Sequence, residues 1–381
     1  MAEPLQSAPH GALIFCRVID NFGDAGVTWR LAKRLRDCGF PTTLVIDSLG
    51  TLSKLVPALN PAHPISTIRE IRIIDWDFYE KALHNGAEPT IAAPLPDLVL
   101  ETFGCRLPEV VEKSMCDNLK RLYMNLDYLS AEEWVEGSHG IWGLHPTLPL
   151  KKLWFFPGFT EKTGGLLIED DLEERRLAFD KEKFLREFGA LPDRLTLYFF
   201  AYPSNPIEQL AVAIREAKQS FNLILAPGEA SDKLASALEG AGNVHLVRAP
   251  FVAQEDFDQF MWASDAVIVR GEDSFVRAQL AGTPLLWSIY PTEDMAHEIK
   301  LNAWIDRFIT MYEPNEEVAK NAFVKCAESW VKGYITPLFF QNWLDQLSMQ
   351  YLCSKKWQKI LLKHGDLVAN IIAYPYNQKL S

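Results

Sequence analysis

From Leu195 to Ser288 the sequence alternates short apolar runs with amphipathic stretches, and this alternation narrows the fold more than any other feature. Leu195–Ala201, Phe221–Ala226, Asn243–Val247, Ala266–Val269 and Pro284–Ser288 are β-branched or aromatic and short, as buried strands are. Between them Ile207–Gln219, Asp232–Leu238, Asp256–Ala263 and Ser274–Ala281 carry helical spacing. Strands joined by helices run parallel, because a crossover must return the chain to the same end of the sheet. This half of the chain is therefore expected to be a doubly wound α/β domain.

The first half repeats the plan. Ala12–Ile19 is a strand candidate that stops at Asp20. After a turn, Asp20-Asn21-Phe22-Gly23-Asp24-Ala25-Gly26, a helical period begins. Val27, Leu31 and Leu35 share one face, and Arg30, Lys33 and Arg34 crowd another that is expected to be solvated. Thr42–Ile46 closes a βαβ unit, and Ile71–Asp75, Leu98–Leu100 and Arg121–Leu126 are further strands. Residues 1–160 are read as an N-terminal Rossmann-like domain and 190–345 as a second, C-terminal one. Thr163-Gly164-Gly165 is expected to be a flexible joint, and the charged run 169–187 a solvated connection. The tail, Trp343 to Ile372, reads as helix throughout, and 346–381 is expected to pack back on the first domain. The expected architecture is two Rossmann-like doubly wound domains facing each other across a cleft.

Charge excludes some functions. The 381 residues hold 38 Lys and Arg against 50 Asp and Glu, a net charge of −12, which repels nucleic acid and anionic membrane. No apolar run approaches the roughly 18 residues of a membrane span, and Met1–His10 lacks the basic start of a signal peptide. Cys16, Cys38, Cys105, Cys116, Cys326 and Cys353 are scattered without a CxxC pair, as thiols of a reducing compartment are, so a cytoplasmic setting is expected. With no HExxH and no paired histidines, no metal is expected.

In open parallel sheets ligands bind beyond the carboxyl ends of strands. Two strand-to-helix turns carry chemistry there. In the first, Gly23 and Gly26 let backbone approach a ligand, and Asp20 and Asp24 bring two carboxylates to one loop. The third glycine of a dinucleotide fingerprint is missing. Two acids suit a base, or acceptors for a cationic or hydroxylated group; the alternative is that Asp24 caps the helix. The second turn, Arg270-Gly271-Glu272-Asp273-Ser274, opens a helix whose free N–H groups, with the Ser274 hydroxyl and Arg270, form an anion site. Here too Asp273 and Ser274 have a capping alternative.

DNFGDAGVTWRLAKRL near the start and RGEDSFVRAQLAGTPLLWSIYP in the second half together resemble the EarP family, protein-arginine rhamnosyltransferases of elongation factor P. The second segment alone resembles the nucleotide-sugar site of two-domain GT-B glycosyltransferases. The EarP resemblance runs the full length. It implies a GT-B fold, TDP-β-L-rhamnose as donor, an arginine of elongation factor P as acceptor, and inversion at the sugar carbon. The family's essential acids fall on Asp20, Asp24 and Glu272. Its donor-binding motif falls on Arg270, Asp273 and Ser274, with Gly271 in the same turn, Phe251, Gln254 and Tyr290 from flanking loops, and Tyr202 at a strand end. Phe22 and Gly23 are counted with these, Phe22 and Phe251 as rings to stack on base or sugar.

Arginine is a poor nucleophile, charged at ordinary pH and with delocalised lone pairs. Asp20 is therefore expected to hydrogen-bond the attacking nitrogen and take its proton, with Asp24 supporting Asp20 or holding the other end of the guanidinium. Two other readings remain: a GT-B enzyme with another sugar donor and a small-molecule or lipid acceptor, and a non-enzymatic nucleotide-binding partner of a translation factor.

Overall fold

Ala12–Cys16 is five apolar residues, all buried, and it forms β1, the strand on which the first sheet is built. The computed structural model describes residues 11–85, 95–292 and 295–377; the expectation set on Met1–His10 lies outside the described residues. The chain forms two units, residues 1–169 with 364–381, and residues 170–363.

In the first unit β1 is joined by β2 (Thr42–Ile46), β3 (Ile65–Ile68), β4 (Ile71–Asp75), β5 (Leu98–Thr102), β6 (Leu122–Leu126), β7 (Trp142–Leu144) and β8 (Lys151–Phe155). Their order is β3-β4-β2-β1-β5-β6-β8-β7. All neighbours are parallel except the edge strands β3 and β7, which pair antiparallel with β4 and β8. The chain winds one way from β1 to β2 and the other way to β5, so the topological switch lies between β1 and β5. The first helix, Asn21–Asp37, follows β1 and buries Ala25, Leu31, Ala32 and Leu35 in the cluster holding Ile14, Leu44 and Leu100.

The second unit holds β9 (Leu195–Phe199), β10 (Phe221–Leu225), β11 (Val244–Arg248), β12 (Ala266–Arg270) and β13 (Leu285–Ser288), in the order β11-β10-β9-β12-β13. All are parallel, with the switch between β9 and β12. The α/β class and both doubly wound sheets are as expected.

Several local readings are corrected. The first helix starts at Asn21 rather than after Gly26, so both glycines sit inside it. Its basic face is not solvated: Arg30, Lys33 and Arg34 are 1%, 5% and 3% exposed. The final helix, Leu367–Asn377, contributes Leu367, Val368 and Ile371 to the same cluster and leaves the first helix little open surface. Arg30 pairs with Glu169, which the sequence reading placed in a solvated run, and Arg34 pairs with Asp366 at 3.0 Å. A buried cation needs such a partner to offset its lost hydration.

Thr163-Gly164-Gly165 is packed rather than loose. Gly164 N–H donates to the Phe156 carbonyl at 2.8 Å, and a Cβ on Gly164 would stand 2.4 Å from the Phe155 ring. Glycine is there for close approach, not for freedom. The tail is three helices, Pro337–Asp345, Leu347–Lys363 and Leu367–Asn377, broken where Gly365 turns at φ 82°. Of these only Leu367–Asn377 belongs to the first unit.

Candidate functional site

The first helix places its acids at the carboxyl end of β1, beside the switch. Asp20 is the N-cap residue, yet its side chain makes no capping hydrogen bond. The carboxylate lies instead over Gly23, where an added Cβ would meet Asp20 Oδ2 at 2.6 Å. Gly23 N–H donates to the Asp20 carbonyl at 2.6 Å, closing the turn. A residue without a side chain is needed here so that the carboxylate can fold across the helix start. Phe22 is partly buried in the same turn.

Asp24, one turn in, reaches back over the helix start to the N-cap amide. It is 2% exposed, and its Oδ2 accepts from Ile19 N–H at 2.7 Å and Asp20 N–H at 2.8 Å. Burial pushes the Asp24 carboxyl above its usual range; the two amides and Tyr128 pull it back, and the Asp47 carboxylate adds a smaller upward push. Asp24 therefore holds the backbone from which Asp20 projects.

The second group lies where β9 and β12 end. The Arg270 guanidinium stacks over the Phe200 ring at 4.4 Å and the Tyr202 ring at 4.8 Å. Tyr202 meets Tyr290 edge to face at 5.6 Å. Stacking occupies the faces of a guanidinium and leaves its rim, where the N–H donors lie, for polar partners. Gly271 has φ 62°, a left-handed turn that favours glycine, and its carbonyl accepts from Trp287 Nε1 at 2.9 Å.

Glu272 is the N-cap of the Asp273–Ala281 helix and makes no side-chain cap. Ser274 Oγ accepts from Arg270 N–H at 3.1 Å and donates to the Arg270 carbonyl, so this hydroxyl braces the loop from within. Gln254 is buried and donates Nε2 to Asp273 Oδ2 at 3.1 Å. Phe251 is 55% exposed and Tyr290 45%, rings presented to solvent as a base-stacking role needs.

That helix is itself firmly seated. Arg277 and Asp258 form a buried two-point ion pair, Nε to Oδ1 at 2.7 Å and a terminal nitrogen to Oδ2 at 2.6 Å. Gln279 Oε1 accepts from Trp304 Nε1 at 2.9 Å and Trp357 Nε1 at 2.7 Å. Phe275 stacks on Trp287 at 3.6 Å. A rigid support of this kind keeps the N-terminal N–H groups aimed in one direction.

The structure thus gathers Tyr202, Gln254, Arg270, Asp273, Ser274 and Tyr290 through direct contacts, and in the other unit Asp20, Gly23 and Asp24. Sequence reasoning missed Phe200, Phe103 and Tyr128. Each lies within three residues of the end of a sheet strand, the position that signals a ligand-facing loop. A cavity of about 770 Å³ lies elsewhere, lined by Leu98, Leu122 and Lys151 at the amino ends of β5, β6 and β8, the wrong end of a parallel sheet for this chemistry.

Residues 13–375 match the family described as elongation-factor P (EF-P) rhamnosyltransferase EarP. A protein-arginine rhamnosyltransferase of Pseudomonas putida is 38% identical over 315 residues, covering 77% of this chain and 80% of that relative. One of Neisseria meningitidis is 38% identical over 326 residues, 81% of this chain and 82% of the relative. A structure solved for the basis of EarP-mediated arginine glycosylation of translation elongation factor EF-P has TM-score 0.62 and 25% identity, covering 96% of this chain and 98% of that one.

Proposed function

This chain belongs to the EarP family of elongation-factor P rhamnosyltransferases, and from that premise we propose that it moves rhamnose from TDP-β-L-rhamnose to an arginine side chain of elongation factor P, with inversion at the sugar carbon. The observation that carries the reading is the Asp20 carboxylate, folded over Gly23 at the carboxyl end of β1. A guanidinium needs such an acid to become a nucleophile.

Asp20 accepts a hydrogen bond from one guanidinium nitrogen. As that nitrogen forms its bond to the sugar carbon, the carbon–oxygen bond to diphosphate breaks and the diphosphate leaves with the electron pair. The proton passes to Asp20. Positive charge developing on the sugar ring is of the oxocarbenium kind, and Glu272 is the carboxylate assigned to offset it. Arg270 and the N–H groups opening the Asp273–Ala281 helix stabilise the departing diphosphate. With that positive field in place the reading asks for no metal ion. Phe251 and Tyr290 take the base or sugar by stacking, beside Gln254 and Tyr202. Asp24 supports Asp20 rather than the far end of the guanidinium, in keeping with its bonds to the Ile19 and Asp20 amides.

A cytoplasmic setting fits cysteines that remain free thiols, and among the described residues no helix is long and apolar enough to cross a membrane. The test is direct. Purified protein mixed with TDP-rhamnose and elongation factor P should add one deoxyhexose to the factor by intact mass, at arginine by fragmentation. No added mass, or addition only from another nucleotide sugar, would refute the reading.

A further inference from the structure

We propose that Arg17 is a specificity-determining residue for the acceptor protein: its guanidinium takes a carboxylate that the acceptor carries beside its target arginine. The inference rests on the reading of Asp20 as the residue that receives that arginine.

Arg17 is the first residue past β1 and is exposed. Its guanidinium lies over the Trp76 ring, 4.7 Å from the centroid. Trp76 is buried at the start of the Trp76–Asn85 helix, and Phe15 meets it edge to face at 5.4 Å. The stack rests one face of the guanidinium on a fixed ring and leaves its rim of N–H donors for a polar partner. Among the described residues Arg17 forms no ion pair. The loop that carries it to Asp20 is equally well held. Val18 N–H donates to Asp47 Oδ1 at 2.9 Å, and the Ile19 and Asp20 amides both donate to Asp24 Oδ2, at 2.7 and 2.8 Å. Three residues of chain span about 11 Å at most, so Arg17 and Asp20 belong to one small surface, with Ile19 67% exposed between them.

The neighbouring loop adds a second cation. The Phe15 carbonyl accepts from Thr102 Oγ1 at 2.8 Å and from Cys105 Sγ at 3.4 Å, which seats the loop after β5 against the end of β1. Arg106 is exposed on that loop, with its N–H held by Glu101 Oε1 at 3.0 Å. On a chain of net charge −12, an exposed cation next to the acid that receives an arginine has the wrong sign for attracting one. Two cations about a Debye length apart, about 10 Å at 0.1 M salt, still repel. The arrangement favours an arginine only when its carrier also brings an anion to Arg17. It disfavours an arginine that lacks one, which is selection by repulsion as well as by attraction. The donor diphosphate has its own cation in Arg270, so the anion assigned to Arg17 is a side-chain carboxylate of the acceptor.

Binding of unmodified elongation factor P, measured by calorimetry without donor, tests this apart from turnover. Arg17→Ala should weaken binding about five-fold, and Arg17→Glu about 25-fold, as attraction is first lost and then replaced by repulsion. Affinity for TDP should stay within about two-fold in both variants, as should kcat at saturating acceptor. Between about 50 and about 300 mM salt the wild type should lose affinity for the factor more steeply than Arg17→Ala, because only the wild type has this charge pair to screen. A purely structural role would not move that slope. Equal binding by all three proteins, a parallel salt dependence, or a loss of TDP affinity matching the loss for the factor overturns the inference, as does a wild type that does not bind the factor. A factor that binds but gains no sugar refutes the transfer reading instead, and the comparison of the three proteins still decides the role of Arg17.

Discussion

The Asp20 carboxylate occupies the space that a side chain on Gly23 would need, with Oδ2 2.6 Å from the position of an added Cβ. Gly23 lies inside the first helix, where alanine is favoured over glycine by about 1 kcal/mol. Gly23→Ala is therefore expected to leave thermal stability equal or raised while displacing Asp20. A displacement of about 1 Å at a catalytic group costs on the order of 100-fold in rate. Steady-state turnover together with a melting curve checks both halves; a variant with normal turnover would show that Asp20 need not lie where it does.

Arg270 tests the donor side. Arg270→Ala should weaken TDP affinity by about 10- to 100-fold, the range for charge-assisted contacts to phosphate. Phe200→Leu keeps the charge and removes one stacking face, so its loss should be smaller, about two- to five-fold. Calorimetric titration with TDP separates the two. Equal losses would assign the aromatic face the larger role, and no loss in either would remove Arg270 from the phosphate site.

The support beneath that loop should be costly to disturb. Asp258→Ala leaves the Arg277 guanidinium buried without its two-point partner, which predicts a loss of about 3–5 kcal/mol in urea unfolding. Replacing both residues together by apolar side chains of similar volume should recover much of that loss. A small effect from Asp258→Ala would mean that water reaches the Arg277 guanidinium and takes over the compensation, since Arg175, 3.7 Å from Asp258, is a second cation that loses its partner too.

Lys355 gives a pH dependence of stability with a defined sign. Its amine donates to the Ala281 carbonyl at the end of the Asp273–Ala281 helix. Burial, with the Arg176 charge adding to it and Glu173 opposing, pulls its pKa down from 10.5 to about 8. A lysine with a depressed folded pKa releases its proton earlier in the folded state than in the unfolded one. The penalty of the charged form is therefore complete below about pH 8 and is relieved as pH rises toward 10.5. Relative to Lys355→Met, the wild type should gain stability between pH 7.5 and 9.5. Parallel curves for the two proteins would contradict this.

Much of the architecture is legible in the residues. Thr42–Ile46 and Ile71–Asp75 form strands over the stretches their patterns indicate, and the alternation from Leu195 onward gives every strand of the second sheet to within a few residues. Strands whose stability comes from neighbours are not legible. β8 opens on Lys151 and Lys152, and Lys152 is accommodated because Glu101 lies 2.9 Å away on β5. The basic face of the first helix deceives for the same reason, since the partner of Arg34 is 332 residues distant. Glycines mislead in another way. Gly23 and Gly164 read as turn or joint residues, yet both mark places where another group presses against backbone. At the site, the acids and Arg270 stand out by residue type at strand ends. Phe200 and Tyr128 do not, because an aromatic after a strand reads equally well as core.

The central claim is that Asp20 takes the proton from the attacking arginine nitrogen. Asp20→Asn retains the shape of the side chain and removes its basicity. Single-turnover transfer of rhamnose to elongation factor P should fall by about 100- to 10,000-fold, with TDP affinity unchanged by calorimetry. Transfer at a rate near that of the wild type, with Asn confirmed at position 20 by mass, would contradict the account.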